Sequence, residues 1–206
     1  MKILSDNIVY EYKCNNQITN ISYPKEENNN LIFYLIKFNN NKRIYNVPLE
    51  KREWILQKLI FNGKTFFEET ISTLDIPNSY TLNQKNSEVN FFKYQNEIFY
   101  IVLSNLEGIA SIFKFDINGK LIKKEFDGFI IIPNRFNDEN LWYIKCKDVK
   151  KFFLMREHQE ICEVNNYLTQ GYFISDTIIE FIFYDTSDFG TINFRPKYSS
   201  LLYNLS

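Results

Sequence analysis

The sequence predicts a mainly β fold: an antiparallel meander forming a sandwich or curled sheet, with one or two short helices packed against it. Three observations carry this prediction. Aromatic residues make up 17% of the 206-residue chain, and aromatic and β-branched side chains favour pleated, half-buried surfaces. The apolar runs are strand-sized, as in Phe99-Tyr100-Ile101-Val102-Leu103 and Ile178-Ile179-Glu180-Phe181-Ile182-Phe183-Tyr184. Turn residues separate them, notably Asn118-Gly119 and Asp127-Gly128, and Asn-Gly between apolar runs is the strongest short hairpin signal.

The clearest stretch lies between residues 89 and 133, where the pattern predicts four consecutive strands. Residues 99–103 are closed by Asn105-Leu106-Glu107-Gly108, and Ile109 to Phe115 follows. Asp116-Ile117-Asn118-Gly119 then turns the chain into Lys120 to Phe126, and Phe129-Ile130-Ile131-Ile132 ends the meander. Further strands are expected at Ile8–Tyr12, Leu31–Phe38, Arg43–Val47, Leu141–Cys146, Lys151–Met155, Tyr172–Ile174, Ile178–Tyr184 and Thr191–Phe194. The polar stretch Cys14–Asn30 reads as a long loop or frayed hairpin.

Two segments read as helices. Pro48 to Phe61 has Pro in its first turn, Glu50 and Glu53 near the positive end, and Gly63 beyond its last turn. At 100° per residue Leu49, Leu56, Leu59 and Ile60 share a face, with Trp54 and Phe61 roughly opposite. Arg156 to Thr169 places Ile161, Val164 and Leu168 on one stripe before Gly171.

An alternative architecture is a propeller of repeated four-stranded sheets. A faint internal echo motivates it: Lys37-Phe38-Asn39-Asn40-Asn41-Lys42 resembles Lys114-Phe115-Asp116-Ile117-Asn118-Gly119-Lys120. No fixed period accompanies it, and an Asn- and Lys-rich vocabulary would produce such likeness unaided. Residues 1–206 are expected to form one domain, with a sub-lobe boundary near 78–88.

Composition excludes several functional classes. The net charge is −1, so the chain as a whole does not read as a nucleic-acid or membrane binder. No apolar run approaches a membrane span, and Met1-Lys2-Ile3-Leu4-Ser5-Asp6-Asn7 lacks a secretory apolar region. Three unpatterned cysteines suit reduced thiols, and the expected compartment is the cytoplasm. No cofactor is expected: phosphate-binding glycine loops and the Gly-x-Ser-x-Gly elbow are missing from a chain with six glycines.

Candidate chemistry is sparse. His158 is the single histidine, which removes any site that needs two imidazoles. On a helix it would share a face with Cys162, but a metal would need further ligands. Asp6 ahead of Glu11-Tyr12-Lys13 resembles a short nuclease-type carboxylate pattern, equally explained by a strand with one charged face. No metal site or catalytic residue is therefore assigned. Lysines interleaved with aromatics over residues 91–126 are read as half-buried strands rather than a nucleic-acid stacking platform.

One feature exceeds background. From Glu157 to Phe194 there is no Lys or Arg among seven carboxylates, whereas Lys114 to Arg156 holds ten basic and six acidic residues. If this polarity survives folding, an acidic face would steer a basic protein partner, with Glu157, Glu160, Glu163, Asp185 and Asp188 as its contact residues. The expected function is a non-catalytic protein-binding module, specifically an inhibitor or immunity-type protein that neutralises a basic toxin. The alternatives are a metal-dependent nuclease-like enzyme, favoured by carboxylates converging in a pocket, and an interaction scaffold, favoured by a ring of similar four-stranded sheets.

Overall fold

The computed structural model describes residues 2–5, 8–13, 18–22, 24–39, 46–48, 51–77, 79–82, 93–95, 98–105, 107–134, 136–137, 139–148, 151–164, 168–185 and 197–205. It is mainly β, with antiparallel sheets arranged as a four-bladed, propeller-like ring. The strands in chain order are β1 Lys2–Ser5, β2 Ile8–Glu11, β3 Ile18–Ile21, β4 Lys25–Glu27, β5 Asn30–Phe38, β6 Trp54–Phe61, β7 Phe66–Thr73, β8 Tyr80–Leu82, β9 Lys93–Gln95 and β10 Ile98–Asn105. They continue as β11 Ala110–Asp116, β12 Leu121–Phe126, β13 Ile130–Ile132, β14 Trp142–Asp148, β15 Lys151–Arg156, β16 Gln159–Val164, β17 Leu168–Phe173, β18 Ile178–Asp185 and β19 Lys197–Asn204.

The register reveals the repeat. In the first sheet β3 and β4 pair with opposite ends of the same edge of β5, Ile18 with Lys37 and Lys25 with Ile32. They are two pieces of one strand, and β5, β6 and β7 complete a four-stranded meander. The second sheet repeats the device, with β8 and β9 both on β10, followed by β11 and β12. The third is β13-β14-β15-β16, and the fourth has three strands, β17-β18-β19. A separate hairpin of β1 and β2 precedes them.

Strand alternation distributes each sheet's side chains between its two neighbours. Phe99, Ile101 and Leu103 of β10 join Ile36, Phe38, Trp54 and Leu56 of the first sheet in one core. Tyr100 and Val102 of the same strand turn the other way, into a core with Ile131, Tyr143 and Met155 of the third sheet. In turn, Ile130, Ile132 and Ile144 of the third sheet pack on Phe173, Ile179 and Phe181 of the fourth. Strands buried on both faces need near-continuous apolar runs, which explains the Phe99–Leu103 and Ile130–Ile132 segments.

Both predicted helices are strands in the structure. The segment expected to be helical over Pro48 to Phe61 contains strand β6, with Trp54 and Leu56 in the core shared with the second sheet and Leu59 and Phe61 on the opposite face. A strand apolar on both faces imitates the two-sided helix read from the sequence. The second expected helix, Arg156 to Thr169, is instead a hairpin turning at Glu157-His158, strand β16, and the start of β17. Ile161 is the extra residue of a bulge, since Leu154 pairs with Cys162 and Met155 with Glu160. That bulge produced the apparent helical spacing.

The remaining strand expectations fare differently. Those at 8–12, 31–38, 99–103, 109–115, 120–126, 129–132, 141–146, 151–155, 172–174 and 178–184 have counterparts in the observed strands, but the expected four-strand meander stops at β12, because β13 pairs with β14 in the next sheet. Residues 43–45 of the expected strand Arg43–Val47, and all of Thr191–Phe194, lie outside the described residues. The Cys14–Asn30 stretch contains β3 and β4. The propeller alternative is the architecture observed, but the echo that suggested it was not the repeat. Lys37-Phe38 ends the second strand of its sheet, whereas Lys114-Phe115 lies in the third strand of the next.

Candidate functional site

Three features of the described residues carry chemistry. The first is a buried polar cluster on the face of the first sheet opposite the core it shares with the second. Lys37, on β5, has a side chain only 4% exposed. Its Nζ donates to the Tyr12 hydroxyl at 2.7 Å and to Glu68 Oε2 at 2.8 Å, while the Tyr12 hydroxyl donates to Glu68 Oε1 at 2.7 Å. Burial pushes the Glu68 carboxyl up, but the bonds from Lys37 and Tyr12 and the Lys37 charge outweigh it and leave the group below its ordinary value. A buried ammonium needs such pairing. Here it ties the segment after β2 to strands β5 and β7. Of the nuclease-like pattern, Glu11 and Lys13 are exposed and 3.9 Å apart, whereas Tyr12 belongs to this cluster; Asp6 lies outside the described residues.

The second feature is a groove of about 450 Å³ between the second and third sheets, a volume in the range of small-molecule and side-chain pockets. Gly108, Ile109 and Ala110 form one side, Asp127-Gly128-Phe129 cross it, and Cys146 and Phe152 complete it. Phe129 and Phe152 meet edge to face at 5.1 Å, and Ile109 is 57% exposed. Gly128 is required by close approach, because a Cβ there would lie 2.7 Å from the Tyr143 ring and 3.1 Å from the Ile144 carbonyl. The one carboxylate in the lining, Asp127, is held below its ordinary range mainly by its bond with Lys124, at 2.6 Å, with burial opposing. The groove thus offers apolar walls and a charge-balanced rim.

The third feature is the acidic hairpin β15–β16. Glu157 occupies the turn at φ 50°; its carboxylate accepts from the Leu141 N–H and its carbonyl accepts from the Tyr143 hydroxyl at 3.0 Å. Burial, then the Glu157 charge, pushes the phenols of Tyr100 and Tyr143 up to about 12. Glu160 is paired with Lys147, whose Nζ also sits 4.7 Å above the Phe153 ring. Glu163 is exposed on β16. Asp185 ends β18 in the fourth sheet, opposite Lys197 in register, and Asp188 lies outside the described residues. Glu157, Glu160 and Glu163 therefore share one hairpin, with two of the three engaged within the protein.

His158 stands at the tip of that hairpin with its ring 5.0 Å from Phe126. Cys162, in the strand, faces the core between the third and fourth sheets, where burial pushes its thiol up. The two residues share no helical face, because the helix does not exist. Among the described residues, no group of three or more His, Cys, Asp or Glu side chains could hold a metal ion. No described helix is long and apolar enough to cross a membrane. Sequence reasoning missed Lys37 and the groove. A lysine inside the apolar run Leu31–Phe38 was the available signal for the first; the groove arises only where two sheets meet.

These features belong to a propeller-like antiparallel β protein. No known protein family matches the chain, and no curated protein matches it. A solved structure of a protein of unknown function from Dyadobacter fermentans DSM 18053 is similar, with 11% identity and a TM-score of 0.49. The likeness covers 87% of this chain and 51% of that one, so this chain spans about half the length of the protein it matches.

Proposed function

We propose that this protein is a non-catalytic interaction scaffold whose groove between the second and third sheets receives an apolar side chain of a protein partner. The observation that carries the reading is the groove itself. Ile109, exposed at 57%, flanks a cavity walled by Phe129 and Phe152, the combination of apolar pocket and exposed anchor that concentrates binding energy. The repeated sheets supply a rigid support. The narrower reading, an inhibitor that neutralises a basic toxin, depends on the acidic hairpin. It is supported less, because Glu157 and Glu160 are already bonded internally. A metal-dependent enzyme would require converging carboxylates, and among the described residues no group of three or more His, Cys, Asp or Glu side chains could hold a metal ion.

The test is affinity capture from the source cells followed by measured association with the protein retained. Ile109→Glu should weaken that association about tenfold or more without altering the unfolding midpoint, since the site is exposed. Glu163→Lys should slow association and reduce its salt dependence only if the partner is basic. Capture unaffected by Ile109→Glu but abolished by Glu163→Lys would replace the scaffold reading with the inhibitor reading.

A further inference from the structure

We propose that the fourth sheet is completed by a second copy of the chain, strand β19 pairing antiparallel with β19 of that copy. In the first three sheets the third strand is covered by a fourth, β7, β12 or β16. In the fourth sheet the third strand, β19, is itself the edge among the described residues.

The edges differ in their defences. Exposed edges are normally blunted by charge. Strand β7 carries Glu68 and Glu69, β12 carries Lys123, Lys124 and Glu125, and β16 carries Glu160 and Glu163. From Tyr198 to Asn204, β19 carries no charge and no proline. Ser199, Ser200, Leu201 and Leu202 are all exposed, the two leucines at 56% and 59%. A seven-residue uncharged stretch behind the single Lys197 is built to be paired.

The backbone phase fixes the register. The Leu205 N–H donates to the Thr177 carbonyl at 2.8 Å, continuing the ladder in which Ile179 pairs with Tyr203 and Phe181 with Leu201. Hydrogen-bonded pairs alternate along an antiparallel ladder. Ser199, Leu201 and Tyr203 therefore direct their N–H and C=O groups toward β18, and Ser200 and Leu202 direct theirs outward.

A two-fold axis normal to the sheet at Leu201 places Ser200 opposite the second copy's Leu202, and Leu202 opposite the second copy's Ser200. The outward groups of these residues then pair. Leu201 meets the second copy's Leu201 at a non-hydrogen-bonded position, where side chains approach most closely. Because Leu201 lies beside Phe181, that contact extends the core row of the fourth sheet. No like charges oppose each other, since Lys197 falls opposite the second copy's Leu205.

Sedimentation equilibrium should show a dimer. Ser200→Pro removes an outward N–H without touching the β18 ladder, and Leu202→Lys places charge on the edge; each should weaken dimerisation at least about tenfold while leaving the β signal in circular dichroism intact. In a chain with Cys14, Cys146 and Cys162 replaced by Ser, Leu201→Cys should form a disulfide-linked dimer on mild oxidation, because directly opposed Cα atoms about 4.5 Å apart lie within disulfide reach. Leu202→Cys should not, since its counterpart lies roughly 8 Å away. A chain that stays monomeric to about 100 µM, well above the micromolar range of specific association, overturns the proposal. So does a dimer indifferent to both edge variants, or cross-linking at 202 equal to that at 201.

Discussion

Lys37 shows how one buried charge organises its surroundings. Its ammonium is held by Tyr12 and Glu68, and removing either partner leaves a cation with too few acceptors. Glu68→Gln should cost about 1–3 kcal/mol at neutral pH, less than for a fully buried pair because the Glu68 side chain is 42% exposed. The pH dependence follows from the lowered carboxyl. The folded chain releases this proton more readily than the unfolded chain, whose carboxyl keeps its ordinary value near 4.5. Stability from Glu68 is therefore fully present above that value and is lost as pH falls through the folded one. Denaturant titrations from about pH 6 to pH 3 should give a shallower stability loss for Glu68→Gln than for the parent chain. An unchanged slope would mean that Glu68 contributes nothing to acid stability.

At the scale of the element, the β11–β12 hairpin tests turn chemistry against tertiary contact. Asn118-Gly119 does turn the chain, between strands ending at Asp116 and starting at Leu121, but only Gly119 has positive φ, at 75°. The Asp116 carboxylate accepts from the N–H groups of Asn118 and Lys120, and the Gly119 N–H donates to the Asp116 carbonyl. This is the longer hairpin loop with glycine in the left-handed position, not a two-residue turn. The tip also docks on the first sheet: Ser72 donates to the Asn118 carbonyl and the Asp75 N–H to the Gly119 carbonyl. A Cβ on Gly119 would sit 2.6 Å from Ser72 Oγ. Gly119→Val should thus lose about 2–4 kcal/mol in chemical denaturation, from backbone strain plus the displaced contact. A neutral change would remove both arguments. The turn was legible from the dipeptide, whereas its docking was not, because Ser72 is remote in sequence. Asn28-Asn29, at φ 52° and 61°, was legible in principle as a two-residue turn but was hidden in an Asn-rich stretch.

At the scale of the whole molecule, stability resides between sheets. Phe99, fully buried, lies in the core joining the first and second sheets, and Phe181, 1% exposed, in the core joining the third and fourth. Strands β10, β13 and β14 contribute to two cores each, so the interfaces are mechanically coupled. Phe99→Ala and Phe181→Ala should each destabilise by about 3–5 kcal/mol. Both should shift one common unfolding transition, followed by fluorescence and circular dichroism together. Two separated transitions in either variant would show that the sheets unfold as independent units, in the manner of a repeat array.

The sequence by itself determined the strand-rich class, the three strands from residue 99 to 126 and the turn at Asn118-Gly119, because these rest on local alternation and on residues that tolerate positive φ. It also limited the chemistry, since one histidine and six glycines rule out sites that need more. Only the tertiary structure decided whether an apolar run was a strand or a helix. For β6 and β16 the reason is physical: burial on two faces and a bulge erase the period of two that distinguishes a strand. The groove, the Lys37 cluster and the edge that β19 forms among the described residues likewise depend on residues far apart in the chain, which local periodicity cannot bring together.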